Sequence, residues 1–98
     1  MLTPEGRIKK EVRRILENHQ VYYFMPTGIG YCRSGIPDIV ACVNGQFMGI
    51  EVKAGERKPT DLQQRELNKI VDAGGLSLCI NANNINSLAS YLQLVKLG

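Results

Sequence analysis

The chain has 98 residues, of which 44% are hydrophobic, and a formal net charge of +3. This length predicts one domain spanning residues 1–98 with a modest core. No apolar run approaches the ~20 residues of a membrane span, and the N-terminal segment lacks the apolar centre of a signal peptide, so the cytoplasm is the expected location. The mildly basic charge is compatible with a polyanionic partner but does not identify one.

Three cysteines stand far apart in the chain, at positions 32, 42 and 79, and there is one histidine. An odd number of cysteines without framework spacing predicts free thiols, most of them buried. Zinc binding is disfavoured because no pair of cysteines has the spacing of zinc ligands.

The first predicted element is an amphipathic helix in TPEGRIKKEVRRILEN, residues 3–18. Thr3 is the expected N-cap, and Pro4 suits the first helical position. Apolar residues then recur at helical spacing and predict one buried stripe, while the opposite face is basic. The stripe consists of Ile8, Val12, Ile15 and Leu16.

The rest of the chain predicts four strands and two more helices. The ranges are 21–25 (strand), 26–35 (glycine-rich loop), 37–43 and 46–53 (strands), 60–73 (helix), 76–80 (buried strand) and 85–97 (helix). The inward positions expected on the second helix are Leu62, Leu67, Ile70 and Val71. The order α-β-β-β-α-β-α, with a helical crossover before the last strand, predicts an α/β fold with a mixed sheet and helices on both faces.

A two-residue hairpin turn is predicted at Asn44-Gly45, because Asn-Gly between apolar runs favours a type I′ turn. In the resulting register Asp38 faces Glu51, and opposed side chains have Cβ atoms roughly 4.5–5.5 Å apart. Lys53 points to the same face as Glu51, two residues before it. The hairpin therefore brings two carboxylates and an ammonium to one place.

Three interpretations of this cluster remain open. Both acids could be solvated at exposed strand ends, as most such charges are. Alternatively, one buried carboxyl could stay protonated beside the other. In the third interpretation a hard divalent cation lies between the two carboxylates, and Mg²⁺ prefers such oxygen ligands.

Glu5 on the first helix points toward the centre of the apolar stripe, whereas Glu11 lies at its edge and Glu17 points outward. An acid in the first turn is explained by the helix dipole. It is equally explained as a third acid of the metal site, reaching the ion directly or through water.

The segment PDIVACVNGQFMGIEVK, with Pro37-Asp38 followed by Glu51-Val52-Lys53, resembles the signature of the PD-(D/E)XK nuclease superfamily. The segments TPEGRIKK, YYFMP, GYCRSGIPD, GIEVKAGERKPTDLQ and AGG more narrowly resemble its VRR-NUC group, in the form of stand-alone phage-type nucleases. The resemblance covers roughly residues 3–80. It implies a restriction-endonuclease-like αβββαβ core.

The same resemblance implies a Mg²⁺- or Mn²⁺-dependent endonuclease that hydrolyses phosphodiester bonds in DNA. The implied metal ligands are Asp38, Glu51, the Val52 carbonyl and Glu5. Lys53 would position the attacking water and stabilise the transition state, and Gln63 would line the site. Thr60-x-x-Gln63 is also the pattern of a helix capping box, which remains the alternative role for Gln63.

Contacts to DNA phosphates are expected from four residues that flank the acids: Arg33, Ser34, Arg57 and Lys58. The lysines and arginines of the first helix, Lys9, Lys10, Arg13 and Arg14, are weaker candidates because charge runs usually face solvent. Relatives of this kind resemble homodimers that cut branched DNA such as four-way (Holliday) junctions. An interface around Tyr91 and Leu94 on the last helix is one possibility, and ordinary core packing is the other.

Two other functions stay open. One is a nucleic-acid-binding module that keeps the fold without catalysis, although such a module has no use for opposed carboxylates near phosphate. The other is a restriction-type nuclease with sequence specificity. One departure from the expected pattern, Gly49 at the start of the acidic strand segment, has no explanation from the sequence beyond hairpin twist.

Overall fold

The computed structural model describes residues 2–26 and 33–97, and in these residues the predicted order of elements is confirmed. The helices are α1 (Pro4–Asn18), α2 (Asp61–Asp72) and α3 (Ile85–Leu97). The strands are β1 (Tyr22–Phe24), β2 (Ile39–Val43), β3 (Gln46–Val52) and β4 (Leu76–Ile80). Most of the predicted glycine-rich loop, including Cys32, lies outside the described residues.

The four strands form one mixed sheet in the order β1-β2-β3-β4. β2 runs antiparallel to its neighbours β1 and β3, whereas β3 and β4 are parallel, as the α2 crossover requires. The prediction that β4 is a buried strand is wrong for most of its length. β4 is an edge strand, and only Ile80 in it is buried, because β3 is its single neighbour in the sheet.

The core lies between the sheet and the pair formed by α1 and α3. Its members are Val12, Ile15, Leu16, Ile39, Ala41, Val43, Met48, Ile50, Val52, Ile80, Leu88 and Leu92. α2 packs on the opposite face, over β3 and β4. The predicted placement of helices on both faces is therefore confirmed.

Both N-caps predicted from the sequence are present. The Thr3 hydroxyl accepts a hydrogen bond from the Gly6 amide at 3.0 Å, and Pro4 occupies the first helical position. At the start of α2, the Thr60 hydroxyl accepts from the Gln63 amide, and the Gln63 side chain accepts from the Thr60 amide. Each cap satisfies amide donors that the helix itself leaves unpaired.

The predicted inward face of α2 is partly wrong. Leu67 is buried and Ile70 is half-buried, but Leu62 and Val71 are about half exposed. Glu66 is buried in their place. α2 is rotated so that a carboxylate with cationic partners lies against the protein, and such pairing offsets the cost of burying the charge.

The Asn44-Gly45 turn has the geometry predicted for it. Asn44 and Gly45 both adopt positive φ angles, 50° and 79°, as a type I′ turn demands. Val43 pairs with Gln46 across the ladder, and the register continues to Ile39 opposite Ile50. One further step along this register brings Asp38 to the level of Glu51.

Gly49 has a packing role that the sequence did not reveal. A Cβ atom at this position would lie 2.5 Å from Ile70 Cδ1 and 2.9 Å from Pro37 Cγ. Contacts this short do not occur between real side chains, so only glycine lets α2 and Pro37 close over β3 here. Gly49 thereby sets how closely α2 lies above the strand that carries Glu51.

The cysteine prediction holds only in part. Cys42 is exposed on β2 and Cys79 is half-buried on β4, and both are free thiols. Cys42 is exposed because α2 covers β3 and β4 rather than this side of β2. Among the described residues, no helix combines the length and the apolar character that crossing a bilayer requires.

Candidate active site

Asp38 and Glu51 come together where β2 begins and β3 ends. Asp38 directly precedes β2, and its Oδ2 accepts a hydrogen bond of 2.8 Å from the Val52 amide. Glu51 is 1% exposed and lies one residue before Val52. The hairpin register thus places the two carboxyl groups side by side, close enough for each to affect the ionisation of the other.

The Glu51 carboxyl is strongly perturbed. Burial, together with the adjacent carboxyl group of Asp38 and its charge, raises the pKa of Glu51 to about 8. The positive charge of Lys53 lowers the pKa of Glu51, but this effect is smaller than the combined effects that raise it. Near neutral pH the metal-free protein therefore holds a proton on this pair.

This geometry rules out one of the three interpretations of the acids. Full solvation is wrong for Glu51, because the side chain is buried. The raised pKa of Glu51 favours a shared proton when no cation is bound. A divalent cation could replace that proton, since metal ligands of this type bind in their deprotonated form.

The same end of the sheet carries an ammonium and a thiol. Lys53 follows β3, is 7% exposed, and lies close enough to act on the charge of Glu51. Its amide donates to the Ile80 carbonyl at 3.0 Å, which fixes the backbone there. Cys79 pairs with Glu51 across β3 and β4, and burial with the Glu51 charge raises the pKa of its thiol.

Glu5 lies at the same cluster, on the first turn of α1. Its charge contributes to the raised pKa of Glu51. Between Glu5 and Asp38 lies Lys9, whose Nζ is 3.8 Å from Glu5 Oε2 and 3.4 Å from Asp38 Oδ1. Within the described ranges, no three His, Cys, Asp or Glu side chains converge tightly enough to hold a metal ion. Glu5 therefore lies farther from the pair formed by Asp38 and Glu51 than direct joint coordination requires.

Gln63 forms the predicted capping box and also lines a groove that opens beside Asp38. The groove has a volume of about 350 Å³. The residues that line it are Pro26, Arg33, Ser34, Gly35, Ile36, Pro37, Asp38 and Gln63. Gln63 Oε1 is engaged by the Thr60 amide at 2.9 Å. The two roles considered for Gln63 are therefore compatible in position.

Two of the four expected DNA contacts line this groove, and the other two lie in the loop that follows β3. Arg33 and Ser34 are exposed on its wall, but Arg33 is anchored, because its Nε donates to Glu66 Oε1 at 2.9 Å. Arg57 and Lys58 are exposed in the loop that joins β3 to α2. Of these cations, the structure brings Arg33 into the groove that Asp38 lines.

Two charged residues at the site were missed by the sequence reasoning. Lys9 was considered only as a weaker candidate for contact with DNA, although it follows Glu5 by four positions and so shares its helix face. Glu66 was overlooked because its partner Arg33 is far away in sequence. Burial opposes the ionisation of Glu66, yet its hydrogen bonds to Arg33 and Lys69 outweigh that effect and lower its pKa.

The donor set at the centre fits a hard divalent cation. Glu51 Oε2 is buried and has no hydrogen-bond partner among the described residues. Asp38 Oδ1 is the oxygen that the Val52 amide leaves available. Both are carboxylate oxygens, which Mg²⁺ and Mn²⁺ prefer, and a buried orphan oxygen is costly unless a ligand satisfies it.

Comparison with known proteins identifies a sequence relative and solved structures with a similar fold. The chain is 32% identical over 85 residues, 86% of its own length and 85% of the other's, to "Putative nuclease p44" of Acyrthosiphon pisum secondary endosymbiont phage 1. A solved structure named "VRR_NUC domain" superposes with a TM-score of 0.80 at 24% identity and covers 91% of this chain and 97% of that one. Another, "VRR_NUC domain protein", has a TM-score of 0.71 at 18% identity and covers 99% and 91%. No family model matches.

Proposed function

Since the chain belongs to the VRR-NUC family of nucleases and has the restriction-endonuclease-like α/β fold expected for it, we propose that it is a Mg²⁺- or Mn²⁺-dependent DNA endonuclease. The observation that carries the proposal is the pair formed by Asp38 and Glu51, in which one buried oxygen has no partner. Opposed acids beside an anion-binding groove serve phosphodiester hydrolysis. They would weaken a module that only binds DNA.

In the proposed reaction a water molecule attacks a backbone phosphorus in line with the leaving oxygen. Asp38 Oδ1 and Glu51 Oε2 would hold the cation, with the Val52 carbonyl and Glu5 as the further proposed ligands. When bound, the divalent cation acidifies water and stabilises charge on the phosphate. The Lys53 ammonium positions the attacking water and offsets the negative charge that develops in the transition state.

The DNA strand is proposed to enter the groove beside Asp38 and Gln63. Arg33 and Ser34 would hold phosphates on one side of the reacting bond, and Arg57 and Lys58 would hold them on the other. Contacts of this kind position the backbone but read no bases. This supports recognition of DNA structure, such as a four-way junction or another branch, over the sequence specificity of a restriction-type enzyme. The proposed location is the cytoplasm, of the host cell if the chain is phage-encoded.

A homodimer is proposed to present two active sites to branched DNA. The support is a sheet surface on the α2 side of β1, β2 and the start of β3, where, among the described residues, Tyr22, Phe24, Cys42 and Phe47 are exposed. These four side chains carry no charge, so the surface suits a second protein copy better than a polyanion. On α3, Tyr91 packs against the core while Leu94 is 71% exposed.

Light scattering of two variants separates these surfaces. Phe24→Lys should convert the dimer to a monomer if the sheet surface forms the interface. Leu94→Lys should do so only if α3 forms it. A wild-type monomer at all concentrations tested would contradict the dimer.

The central experiment is a cleavage assay with Mg²⁺ or Mn²⁺ on linear duplex, flap, replication fork and four-way junction DNA. Lys53→Ala should lower cleavage roughly a hundredfold or more. Lys96→Ala is the matched control, because Lys96 lies far from the acids. The carbonyl of its neighbour Val95 accepts a hydrogen bond from the side chain of Asn44, in the hairpin turn at the opposite end of β2 and β3. Undiminished cleavage by Lys53→Ala would refute the mechanism, and equal cutting of every substrate would refute structure selectivity. Binding without any cleavage would favour the non-catalytic module.

A further inference from the structure

Lys9 occupies an unusual place for a helix-surface lysine. Its Nζ is 3.4 Å from Asp38 Oδ1 and 3.8 Å from Glu5 Oε2, and its side chain is 29% exposed. The neighbouring Lys10 points to the outer face of α1 and is exposed. Two adjacent lysines therefore meet entirely different surroundings.

The contact with Asp38 involves the oxygen that the proposed metal site needs. Asp38 Oδ2 already accepts from the Val52 amide. Oδ1 is the remaining oxygen, and Lys9 pairs with it. A divalent cation on Oδ1 would place two like charges within a few ångströms of each other, which is strongly repulsive where the site is shielded from water.

We propose that Lys9 is the counter-cation of the acidic site in the metal-free protein and that it releases Asp38 Oδ1 when a divalent cation binds. The inference rests on the proposed function, because the divalent cation is its premise. By reciprocity of linked equilibria, any stability that Lys9 gives to the metal-free site is subtracted from metal affinity. Lys9 is thus a positioning residue, which holds Asp38 in place until the cation arrives.

The test measures Mn²⁺ binding to the protein without DNA, by calorimetry. Lys9→Met should tighten binding by roughly threefold to fivefold, the upper part of the range expected for losing one partly exposed ion pair. Lys10→Met removes the same charge one residue away and should leave the affinity within about twofold of wild type. Lys9→Arg keeps the ion pair and should stay close to wild type.

Thermal unfolding supplies the second measurement and identifies displacement itself. Lys9→Met should lower Tm in EDTA, and the difference from wild type should shrink at saturating Mn²⁺. If Lys9 stayed on Asp38 in the loaded protein, the loss of Tm would be the same under both conditions, which would overturn the inference. Equal Mn²⁺ affinities of the Lys9→Met and Lys10→Met proteins would also overturn it.

Failure of this inference differs from failure of the proposed function. Wild-type protein that cuts DNA while Lys9→Met binds Mn²⁺ no more tightly would refute the role of Lys9 alone. Conversely, the expected changes in affinity and Tm, without DNA cleavage by wild type under any metal condition, would refute the endonuclease alone.

Discussion

The amide of Val52 donates a 2.8 Å hydrogen bond to Asp38 Oδ2, which ties the residue before β2 to the last residue of β3. Asp38 therefore has a structural role as well as its proposed role as a metal ligand. Asp38→Asn retains an oxygen acceptor for the amide but loses the charge. We expect this variant to fold with a Tm near that of wild type while its cleavage rate falls about a hundredfold or more.

Asp38→Ala separates the two roles. It removes the acceptor as well, and the buried amide then lacks its partner, at a cost of about 1–3 kcal/mol in unfolding free energy. Asp72→Asn, at the end of α2, is the control for removing one negative charge. Full cleavage activity in Asp38→Asn would contradict its assignment as a ligand.

The raised pKa of Glu51 makes the stability of the metal-free protein depend on pH. The folded protein keeps this proton up to about pH 8, whereas the unfolded chain releases it near 4.5, the ordinary pKa of a glutamate. The contribution of Glu51 is therefore fully present below pH 4.5 and is lost as pH rises through 8. The Glu51→Gln side chain cannot ionise, so we expect the unfolding free energy of this variant to rise relative to that of wild type as pH increases.

Urea unfolding in EDTA at pH 5 and at pH 8.5 measures this effect. The stability of Glu51→Gln relative to wild type should rise between these values by a few kcal/mol, because each pKa unit corresponds to about 1.4 kcal/mol. Adding Mn²⁺ at pH 8.5 should restore the stability of wild type but should not increase that of the variant. A difference that does not change with pH would show that Glu51 ionises normally.

The contact of Gly49 with Ile70 predicts a specific rescue. Gly49→Ala should lower the unfolding free energy by about 1–3 kcal/mol through overpacking. Ile70→Val deletes Cδ1, the atom that would lie 2.5 Å from the new Cβ. We therefore expect the double variant to lose less stability than the sum of the two single variants. Strict additivity in denaturant unfolding would mean that α2 simply moves away.

Gln63 can be tested against its capping partner. Thr60→Ala and Gln63→Ala each break the same capping box and should each cost about 1 kcal/mol in unfolding free energy. If Gln63 also serves the site, Gln63→Ala should lower cleavage several-fold further than Thr60→Ala does. Equal cleavage rates in the two proteins would leave Gln63 with its capping role alone.

The loop after β3 should dominate the salt dependence of DNA binding. Replacing both Arg57 and Lys58 by Gln removes two proposed phosphate contacts. The slope of log K against log salt should become less steep by about 1.8, since each contact to duplex DNA contributes about 0.9. The measurement uses the Asp38→Asn background, in which DNA stays intact. An unchanged slope would mean that the strand does not pass over this loop.

Local sequence signals were sufficient for much of this fold. Asn44-Gly45 specified the turn and hence the register, which then placed Asp38 near Glu51. The capping residues Thr3 and Thr60 marked where α1 and α2 begin. Each of these signals acts within a few residues along the chain, so a single sequence displays it directly.

The errors concern contacts between distant segments. Glu66 can be buried because Arg33, 33 residues away in the sequence, donates a hydrogen bond to it. The helical periodicity of α2 contains no information about that partner. A residue without a side chain is needed at position 49 because Ile70, which belongs to α2, packs against it. For Lys9 a local signal did exist, its spacing of four from Glu5, but the lysine-rich neighbourhood favoured an outer surface.

The hairpin also has a kinetic consequence. Only 14 positions separate Asp38 from Val52, and hairpins of this kind close in about 1–10 μs. The two acids can therefore meet before α1 has docked, at a stage when neither Lys9 nor Glu5 is near. During synthesis or refolding, a proton or a cation from the solvent would reduce the repulsion between these like charges at this early stage. We therefore expect magnesium in the buffer to increase the folding rate as well as the stability of the folded protein.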